Sequence, residues 1–286
     1  MSTGLRAGAE VAGHRLLRPL GHGTQSRVFL AEHLSSGQLV ALKVASLEGT
    51  PTGSESARAF LQSAQLARSL VHPNIVVIHD AGREGSLVWL SMEAFAGTDL
   101  SGYTHAPKLL PELLTLRAVE QVAQALDCAH RQGIVHRDVK PANVLLDWVS
   151  QTIKLTDFGL AGLNGVSSTG TGIVLGTPAY MAPEQLAGGL PSVSTDLYAV
   201  GVLLFELLAG RLPHTGSNMG ELLKQVALVE PPCLHTLRPD LPQALADLIA
   251  RLLAKAPLQR PQDAAGLAMA LRQIALDMTV AGAKSH

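Results

Sequence analysis

The sequence contains only two cysteines among its 286 residues, Cys128 and Cys233, too few for a disulfide framework and without the spacing of a metal site. We expect both to be small buried residues in a reducing compartment. The eleven histidines include no HxxxH or similar pair, so no zinc site is indicated. Aromatic residues make up only 3% of the chain, and the core must therefore be built from Leu, Ala, Val and Ile.

An excess of charge of one sign is also missing. The formal net charge is -1 and the isoelectric point is near 6.8, which gives no electrostatic case for nucleic acid or anionic lipid as a partner. The N-terminal residues lack the apolar segment of a signal peptide. The longest apolar run, residues 197–208, contains Glu206 and is too short to span a bilayer, so it predicts a buried core helix. We expect a cytoplasmic location and no membrane contact from these residues, although a longer parent protein could still carry a membrane anchor.

The most informative stretch is HRDVKPAN, residues 136–143. The Asp138 carboxylate could accept a proton from an attacking hydroxyl. Lys140 could neutralise a phosphoryl oxygen, and the amide oxygen of Asn143 could hold a divalent metal. Fourteen residues later, Asp157 opens a DFG triplet and supplies a second carboxylate suited to Mg²⁺. These groups together would suit phosphoryl transfer.

Together with GTPAYMAPE at residues 176–184, these motifs resemble the eukaryotic-type protein kinases, and most of all the bacterial serine/threonine kinases. The resemblance runs from about residue 14 to residue 274. It implies an α+β, bilobal protein-kinase fold, with a five-stranded antiparallel small lobe, a helix αC and a mainly helical large lobe. The implied parts are an N-terminal extension (1–13), the small lobe (14–92), a hinge (93–97), the large lobe (98–276) and a C-terminal tail (277–286).

The resemblance also implies roles for individual side chains. ATP would bind with Mg²⁺ or Mn²⁺, the metal being held by Asn143 and Asp157. Lys43 would anchor the α- and β-phosphates, Asp138 would orient the acceptor hydroxyl, and Lys140 would stabilise charge on the γ-phosphoryl group. The other nucleotide-binding residues would be Gly21, Gly23, Val28, Ala41, Met92, Glu93, Phe95 and Leu145.

Further residues of the resemblance would support the site. Thr177 would contact the catalytic aspartate and lysine. Asp196 would be buried and bonded to the catalytic-loop backbone, Arg260 would form an ion pair with Glu184, and His136 would pack in the core. Candidate phosphorylation sites in the loop after the DFG triplet are Ser167, Ser168, Thr169 and Thr171.

Periodicity predicts the elements that carry these residues. Three strands fall within residues 14–46, and two more at residues 76–81 and 87–92. Helices are predicted over residues 54–71 and 113–131. In the first helix, the apolar residues expected on one side are Phe60, Ala64, Ala67 and Val71.

Two positions depart from the family pattern. Ser26 replaces the third glycine of the phosphate loop, and Ser63 occupies the position where helix αC normally offers a glutamate to the strand lysine. These departures keep a pseudokinase or scaffold open as an alternative to an active kinase acting on protein Ser/Thr hydroxyls. A small-molecule phosphotransferase is disfavoured by residues 176–184. The resemblance further allows autophosphorylation within a homodimer.

Overall fold

The computed structural model describes residues 5–22, 26–47, 53–158 and 178–284. Within these residues the chain forms two compact units. The first comprises the residues up to Ala96 together with Phe158, and the second comprises residues 97–157 and the residues from 178 onward. An antiparallel sheet dominates the first unit and helices dominate the second, which confirms the predicted α+β kinase fold.

In the described part of the first unit, six antiparallel strands form a sheet with the order β1-β2-β3-β4-β6-β5. Five match the predicted strands, and the sixth is the two-residue strand β1, which pairs with the start of β2. Strand β5 begins two residues later than predicted and extends three residues further. The strands are β1 Glu10–Val11, β2 His14–His22, β3 Ser26–His33, β4 Leu39–Ser46, β5 Ile78–Glu84 and β6 Leu87–Glu93.

The two faces of this sheet differ. Side chains alternate along a strand, so β4 sends one set of residues to each face. One set joins a buried apolar cluster formed by Val11, Leu16, Phe29, Ala31, Val40, Leu42 and Val44. Leu5 and Ala9, from the segment before β2, pack against the same cluster. Ala41 and Lys43 occupy the intervening positions of β4 and therefore belong to the opposite face.

Helix α1, Gly53–Arg68, follows β4 and packs against β5. Phe60, Ala64 and Ala67 are buried, as predicted from their spacing of three and four residues. The prediction for Val71 was wrong: the helix ends at Arg68, so Val71 leaves the helical face and is 85% exposed. Ser63 lies on the helix in a half-buried position.

The second unit combines a small sheet with most of the helices. Helix α2 lies within one residue of its predicted bounds at each end. The side-chain amide of Gln121, on α2, donates to the Gln151 carbonyl at 3.1 Å and accepts the Ile153 amide at 3.0 Å, which fixes the last strand of the small sheet. The elements are β7 Thr98–Asp99, α2 Glu112–His130, β8 Val144–Asp147, β9 Thr152–Leu155, α3 Pro183–Leu186, α4 Val193–Ala209, α5 Met219–Leu228, α6 Leu234–Leu237, α7 Gln243–Leu252 and α8 Ala264–Lys284.

Helix α4 forms the centre of this unit, because its residues 195–208 are all buried. The apolar run at residues 197–208 is therefore a core helix, as predicted. Gly210 ends the helix in the left-handed conformation (φ 70°), which glycine adopts without steric cost. Gly201 lets α7 approach closely, since a Cβ atom there would lie 2.7 Å from the Cβ of Leu252.

Helix α8 extends beyond residue 276, where the predicted large lobe ends and the predicted C-terminal tail (277–286) begins. The last residues were expected to form a tail, but the alanine-rich sequence continues the helix to Lys284. The helix packs against α2, and Leu267, Leu271 and Ile274 are among its buried residues. Within the described chain, the segment Ala264–Ala283 is long and apolar enough to cross a membrane, and 28% of it is buried. Core helices of soluble proteins meet the same criteria of length and composition.

The expectation that both cysteines are buried was wrong. Cys128 is half-buried on α2, and Cys233 is exposed immediately before α6. Hydrogen bonds from the backbone of Thr236 and His235 lower the pKa of the Cys233 thiol. Neither cysteine forms a disulfide.

Among the described residues, no group of three or more His, Cys, Asp or Glu side chains is arranged to hold a metal ion.

Candidate active site

Asp138 is the centre of a compact polar cluster in the second unit. The Lys140 ammonium donates to both of its carboxylate oxygens, at 2.9 and 2.8 Å. The Asn143 amide nitrogen donates to the main-chain carbonyl of Asp138 at 2.7 Å and to its Oδ2 at 3.0 Å. The side chains of Asp138 and Lys140 are 15% and 19% exposed. The structure thus brings together the three residues that the sequence predicted from residues 136–143.

Asp196, on α4, fixes the backbone of this loop. Its Oδ1 accepts the amide N–H of Arg137 and its Oδ2 accepts that of His136, both at 2.8 Å. The His130 ring nitrogen Nε2 lies 2.8 Å from the same Oδ2. The side chain of Asp196 is only 1% exposed, so these donors replace the water that a carboxylate would otherwise bind. This confirms the predicted buried anchor.

His136 has a structural part in the loop, as predicted. It is fully buried, and its Nδ1 accepts the amide N–H of Asp138 at 3.2 Å. Because a neutral imidazole carries one N–H, that contact leaves Nε2 to donate to the Thr156 carbonyl at 2.9 Å. The histidine therefore links the catalytic loop to the residue that precedes Asp157.

Two residues of the site have left-handed backbone conformations. The φ angles are 70° at Arg137 and 68° at Asp157. Such values are uncommon outside glycine, and they are found most often at functional sites, where surrounding contacts maintain them. One such contact is the hydrogen bond from the Thr156 amide to the Asn143 carbonyl, at 3.0 Å. It joins the segments that carry the two predicted metal ligands, Asn143 and Asp157.

The donor atoms of these two ligands suit a hard divalent cation. Mg²⁺ and Mn²⁺ prefer oxygen ligands from carboxylates and amides. Asn143 uses its amide nitrogen toward Asp138, so its amide oxygen is the atom that would meet a metal. Asp157 supplies a carboxylate from the same unit. The residues present therefore fit the metal that the sequence implied.

The nucleotide-binding residues predicted for the first unit lie on adjacent strands. Gly21 is opposite Val28 in the β2–β3 pair, Val28 is opposite Lys43 in β3–β4, and Ala41 is opposite Met92 in β4–β6. Direct cross-strand partners lie on the same face of a sheet. Val28, Ala41, Lys43 and Met92 therefore share one face, away from the apolar cluster.

The predicted hinge begins at the end of β6. Glu93 forms two hydrogen bonds with Val77, one through its main chain and one through its side chain, both of 2.9 Å. Phe95 is half-buried two residues further on. Leu145 belongs to the second unit, where it is half-buried on β8 opposite Lys154.

The model of the protein kinase domain family matches residues 14–272 of this sequence. The chain belongs to the protein kinase domain family. The matched residues include the catalytic loop, the DFG triplet and both supporting residues Asp196 and Arg260. The kinase fold is thereby confirmed, and the relatives described next confirm the resemblance to bacterial eukaryotic-type serine/threonine kinases.

Curated relatives of this kinase domain are bacterial proteins. The serine/threonine-protein kinase PrkC of Bacillus subtilis is 38% identical over 259 residues, which are 90% of this chain and 40% of PrkC. PknF of Mycobacterium tuberculosis is 36% identical over 274 residues, 93% of this chain and 57% of PknF. Pkn1 of Myxococcus xanthus is 37% identical over 276 residues, 94% of this chain and 39% of Pkn1. The chain thus spans about half the length, or less, of these relatives.

The predicted pair between Arg260 and Glu184 is present in the second unit of the kinase domain. Two guanidinium nitrogens donate to the two carboxylate oxygens, at 2.6 and 2.8 Å. Arg260 also donates to the carbonyls of Ala254 and Ser194, and its guanidinium lies 4.9 Å from the centre of the Tyr198 ring. The Arg260 side chain is fully buried, so the pair holds α3 and the residues after α7 together.

One hydrogen-bonded pair in the second unit was not predicted. The Tyr180 hydroxyl donates to Glu206 of α4. Burial raises the pKa of both groups, and the hydrogen bond raises that of the tyrosine further. The only sequence signal was an acidic residue inside the apolar run at residues 197–208, since the two partners are 26 positions apart.

Several predicted residues lie outside the described residues, and their roles stay predictions. They are Gly23 in the phosphate loop, Thr177 in the 176–184 motif, and the candidate phosphorylation sites Ser167, Ser168, Thr169 and Thr171.

Proposed function

We propose that this kinase domain is an active serine/threonine protein kinase, which transfers the γ-phosphoryl group of ATP to protein Ser/Thr hydroxyls and to residues of its own chain. The observation that carries the proposal is the Asp138 carboxylate, which Lys140 and Asn143 hold at 2.8 to 3.0 Å. A mostly buried carboxylate in that position can accept a hydroxyl hydrogen bond and orient the nucleophile.

The other residues have complementary roles in this proposal. A divalent cation, Mg²⁺ or Mn²⁺, would be held by Asn143 and Asp157 and would neutralise phosphate charge. Lys43 would bind the α- and β-phosphates. Lys140, already beside Asp138, would balance the charge of the phosphoryl group as it moves toward the acceptor oxygen.

Intact-mass spectrometry tests the proposal directly. The domain is incubated with Mg-ATP and a Ser/Thr-containing protein acceptor, beside the Asp138→Asn variant and an Asp277→Asn control on the exposed side of α8. We expect phosphate on wild type and control, and a rate at least about 100-fold lower for Asp138→Asn, the usual contribution of a positioned base. Phosphoamino-acid identification should give phosphoserine or phosphothreonine.

Other outcomes would contradict the proposal. Nucleotide binding in a thermal-shift experiment without phosphate transfer would support the pseudokinase alternative, for which Ser63 is the motivating residue. Phosphate recovered only in a metabolite fraction would support a small-molecule phosphotransferase. Equal phosphate on wild type and Asp138→Asn would indicate a contaminating kinase. Size-exclusion chromatography before and after autophosphorylation tests the proposed homodimer.

A further inference from the structure

The Glu93 side chain takes an unusual place in the sheet of the first unit. In a regular antiparallel pair, two opposite residues exchange both main-chain N–H···O bonds. Here the Glu93 N–H donates to the Val77 carbonyl at 2.9 Å, but the Val77 N–H donates to the carboxylate oxygen Oε1 of Glu93, also at 2.9 Å. The carboxylate thus accepts the hydrogen bond that the main-chain carbonyl of residue 93 would receive in a regular pair.

This exchange occurs where the regular strand pairing ends. The last pair of β5 and β6 on this side is Ile78 with Met92. Val77 is the next residue, and it belongs to the segment that connects α1 with β5. The two bonds therefore continue the ladder for one more pair while the main chain of the hinge, residues 93–97, departs from it.

We propose that Glu93 is a positioning residue for the nucleotide: its carboxylate holds the hinge main chain in the orientation that presents the carbonyl of residue 93 to the adenine amino group. The inference rests on the proposed function, since it presupposes that the hinge binds adenine. A charged acceptor suits the task, because hydrogen bonds to a carboxylate are stronger than those to a neutral carbonyl.

The expected effect is modest. Val77 is 41% exposed and Glu93 is half-buried, so water can replace part of the lost bond. Removing the carboxylate should weaken MgADP binding about fivefold, within the range for one partly exposed charged hydrogen bond. The change should affect the KM for ATP more than the turnover number, because the hinge does not touch the transferred phosphoryl group.

The experiment compares three variants by titration calorimetry with MgADP. Glu93→Ala removes the acceptor, whereas Glu93→Gln keeps an oxygen at the same place and should bind MgADP within about twofold of wild type. Glu84→Ala is the matched control, because Glu84 Oε2 accepts the Ala12 amide at 2.7 Å in the same sheet but away from the hinge. A competition experiment with GTP should show that only Glu93→Ala loses preference for adenine.

The outcomes separate this inference from the proposed function. If wild type does not bind MgADP, the proposed nucleotide chemistry fails. If wild type binds and Glu93→Ala matches Glu84→Ala, the role of Glu93 is refuted. An equal loss in Glu93→Gln and Glu93→Ala would also refute it, because the acceptor oxygen would then be irrelevant.

Hydrogen exchange on the wild-type protein gives a test that needs no variant. Coupling between two sites is reciprocal, so if the Glu93–Val77 bond favours nucleotide binding, MgADP must favour that bond. We expect saturating MgADP to slow exchange of the Val77 amide about fivefold, with little change at Arg83, at the far end of β5. Unchanged exchange at Val77 would overturn the inference even if Glu93→Ala failed to fold.

Discussion

Asp196 and Glu93 each fix a segment of main chain through a side-chain carboxylate, but the two carboxylates differ in burial. Each is a carboxylate that accepts main-chain N–H groups: two of the catalytic loop for Asp196, and that of Val77, just before β5, for Glu93. Asp196 is 1% exposed and accepts two main-chain amides, whereas Glu93 is half-buried and accepts the amide of Val77, which is 41% exposed.

The difference shows how much each anchor contributes. When a buried carboxylate is removed, water cannot replace the hydrogen bonds that its donors lose. The same holds for a buried carboxylate whose donors are removed, so either change lowers stability strongly. At a partly exposed carboxylate, water replaces the lost hydrogen bonds, so the loss of stability is small. We therefore expect buried anchors in the second unit to control folding and chemistry together, and the partly exposed anchor in the first unit to adjust nucleotide affinity alone.

The largest effect is expected for Asp196→Ala. The change removes a fully buried carboxylate and leaves the amides of His136 and Arg137 without their acceptor. The unfolding free energy should fall by about 3–5 kcal/mol. Phosphate transfer should fall at least about 100-fold, because the Asp138 backbone loses its support. Urea denaturation and a phosphate-transfer assay measure both. A variant as stable as Glu93→Ala would remove the distinction between the two anchors.

The next largest effect on the free energy of unfolding is expected for Arg260, which we compare with Arg238 of the same unit. Arg260 is fully buried, whereas Arg238 is 24% exposed and bonds to Glu112 and Asp240, which are 42% and 57% exposed. Arg260→Met should lower unfolding free energy by about 3 kcal/mol, because it leaves Glu184 with an uncompensated charge. Arg238→Met should lower it by about 1 kcal/mol. Equal losses by urea denaturation would show that burial does not decide the value of these pairs.

The contact between Lys255 and His214 should make the free energy of unfolding depend on pH. Lys255 donates to the His214 ring at 3.1 Å and to the Val226 carbonyl at 2.8 Å. Burial, with the Lys255 charge, lowers the pKa of His214 from 6.5 to about 4. The unfolded chain therefore binds a proton between pH 6.5 and pH 4 that the folded chain does not, and stability falls as the pH falls through this range.

We expect this titration to cost wild type on the order of 2 kcal/mol between pH 7 and pH 4. The slope of unfolding free energy against pH should be shallower in His214→Phe than in wild type. Parallel slopes for wild type and His214→Phe would assign the acid sensitivity to other groups, such as carboxylates that become protonated in the same range.

Much of the site was predictable because its residues are close in sequence. Asp138, Lys140 and Asn143 span six positions of one loop, so their spacing alone brings the side chains together. Asp196 and Arg260 needed the resemblance, because their partners are distant along the chain and no periodicity connects them. Only the resemblance to the kinase family, and not the neighbouring residues in the sequence, predicted these two contacts.

The features that the sequence did not predict depend on contacts that leave no periodic pattern in the sequence. The bond from Val77 to the Glu93 side chain needs the strand register, which one sequence does not determine. Val71 was assigned to the α1 face because its spacing fits, yet the helix ends three residues earlier. The ends of helices depend on competing turns, which apolar periodicity does not report.

The smallest effect is expected where a carboxylate is added rather than removed. Ser63 is half-buried on α1, at the position where the family pattern has a glutamate for the strand lysine. If Ser63 faces Lys43, Ser63→Glu should raise the phosphate-transfer rate about threefold, because a partly exposed ion pair contributes only ~0.5–1 kcal/mol. Steady-state kinetics at varied ATP measure the change.

Two controls isolate the charge at this position. Ser63→Gln adds nearly the same volume without charge, and Gln62→Glu adds the same charge on the neighbouring exposed position of α1. Only Ser63→Glu should increase the rate, and the increase should shrink in high salt because the pair is accessible to solvent. An unchanged or lower rate would mean that another group already positions Lys43.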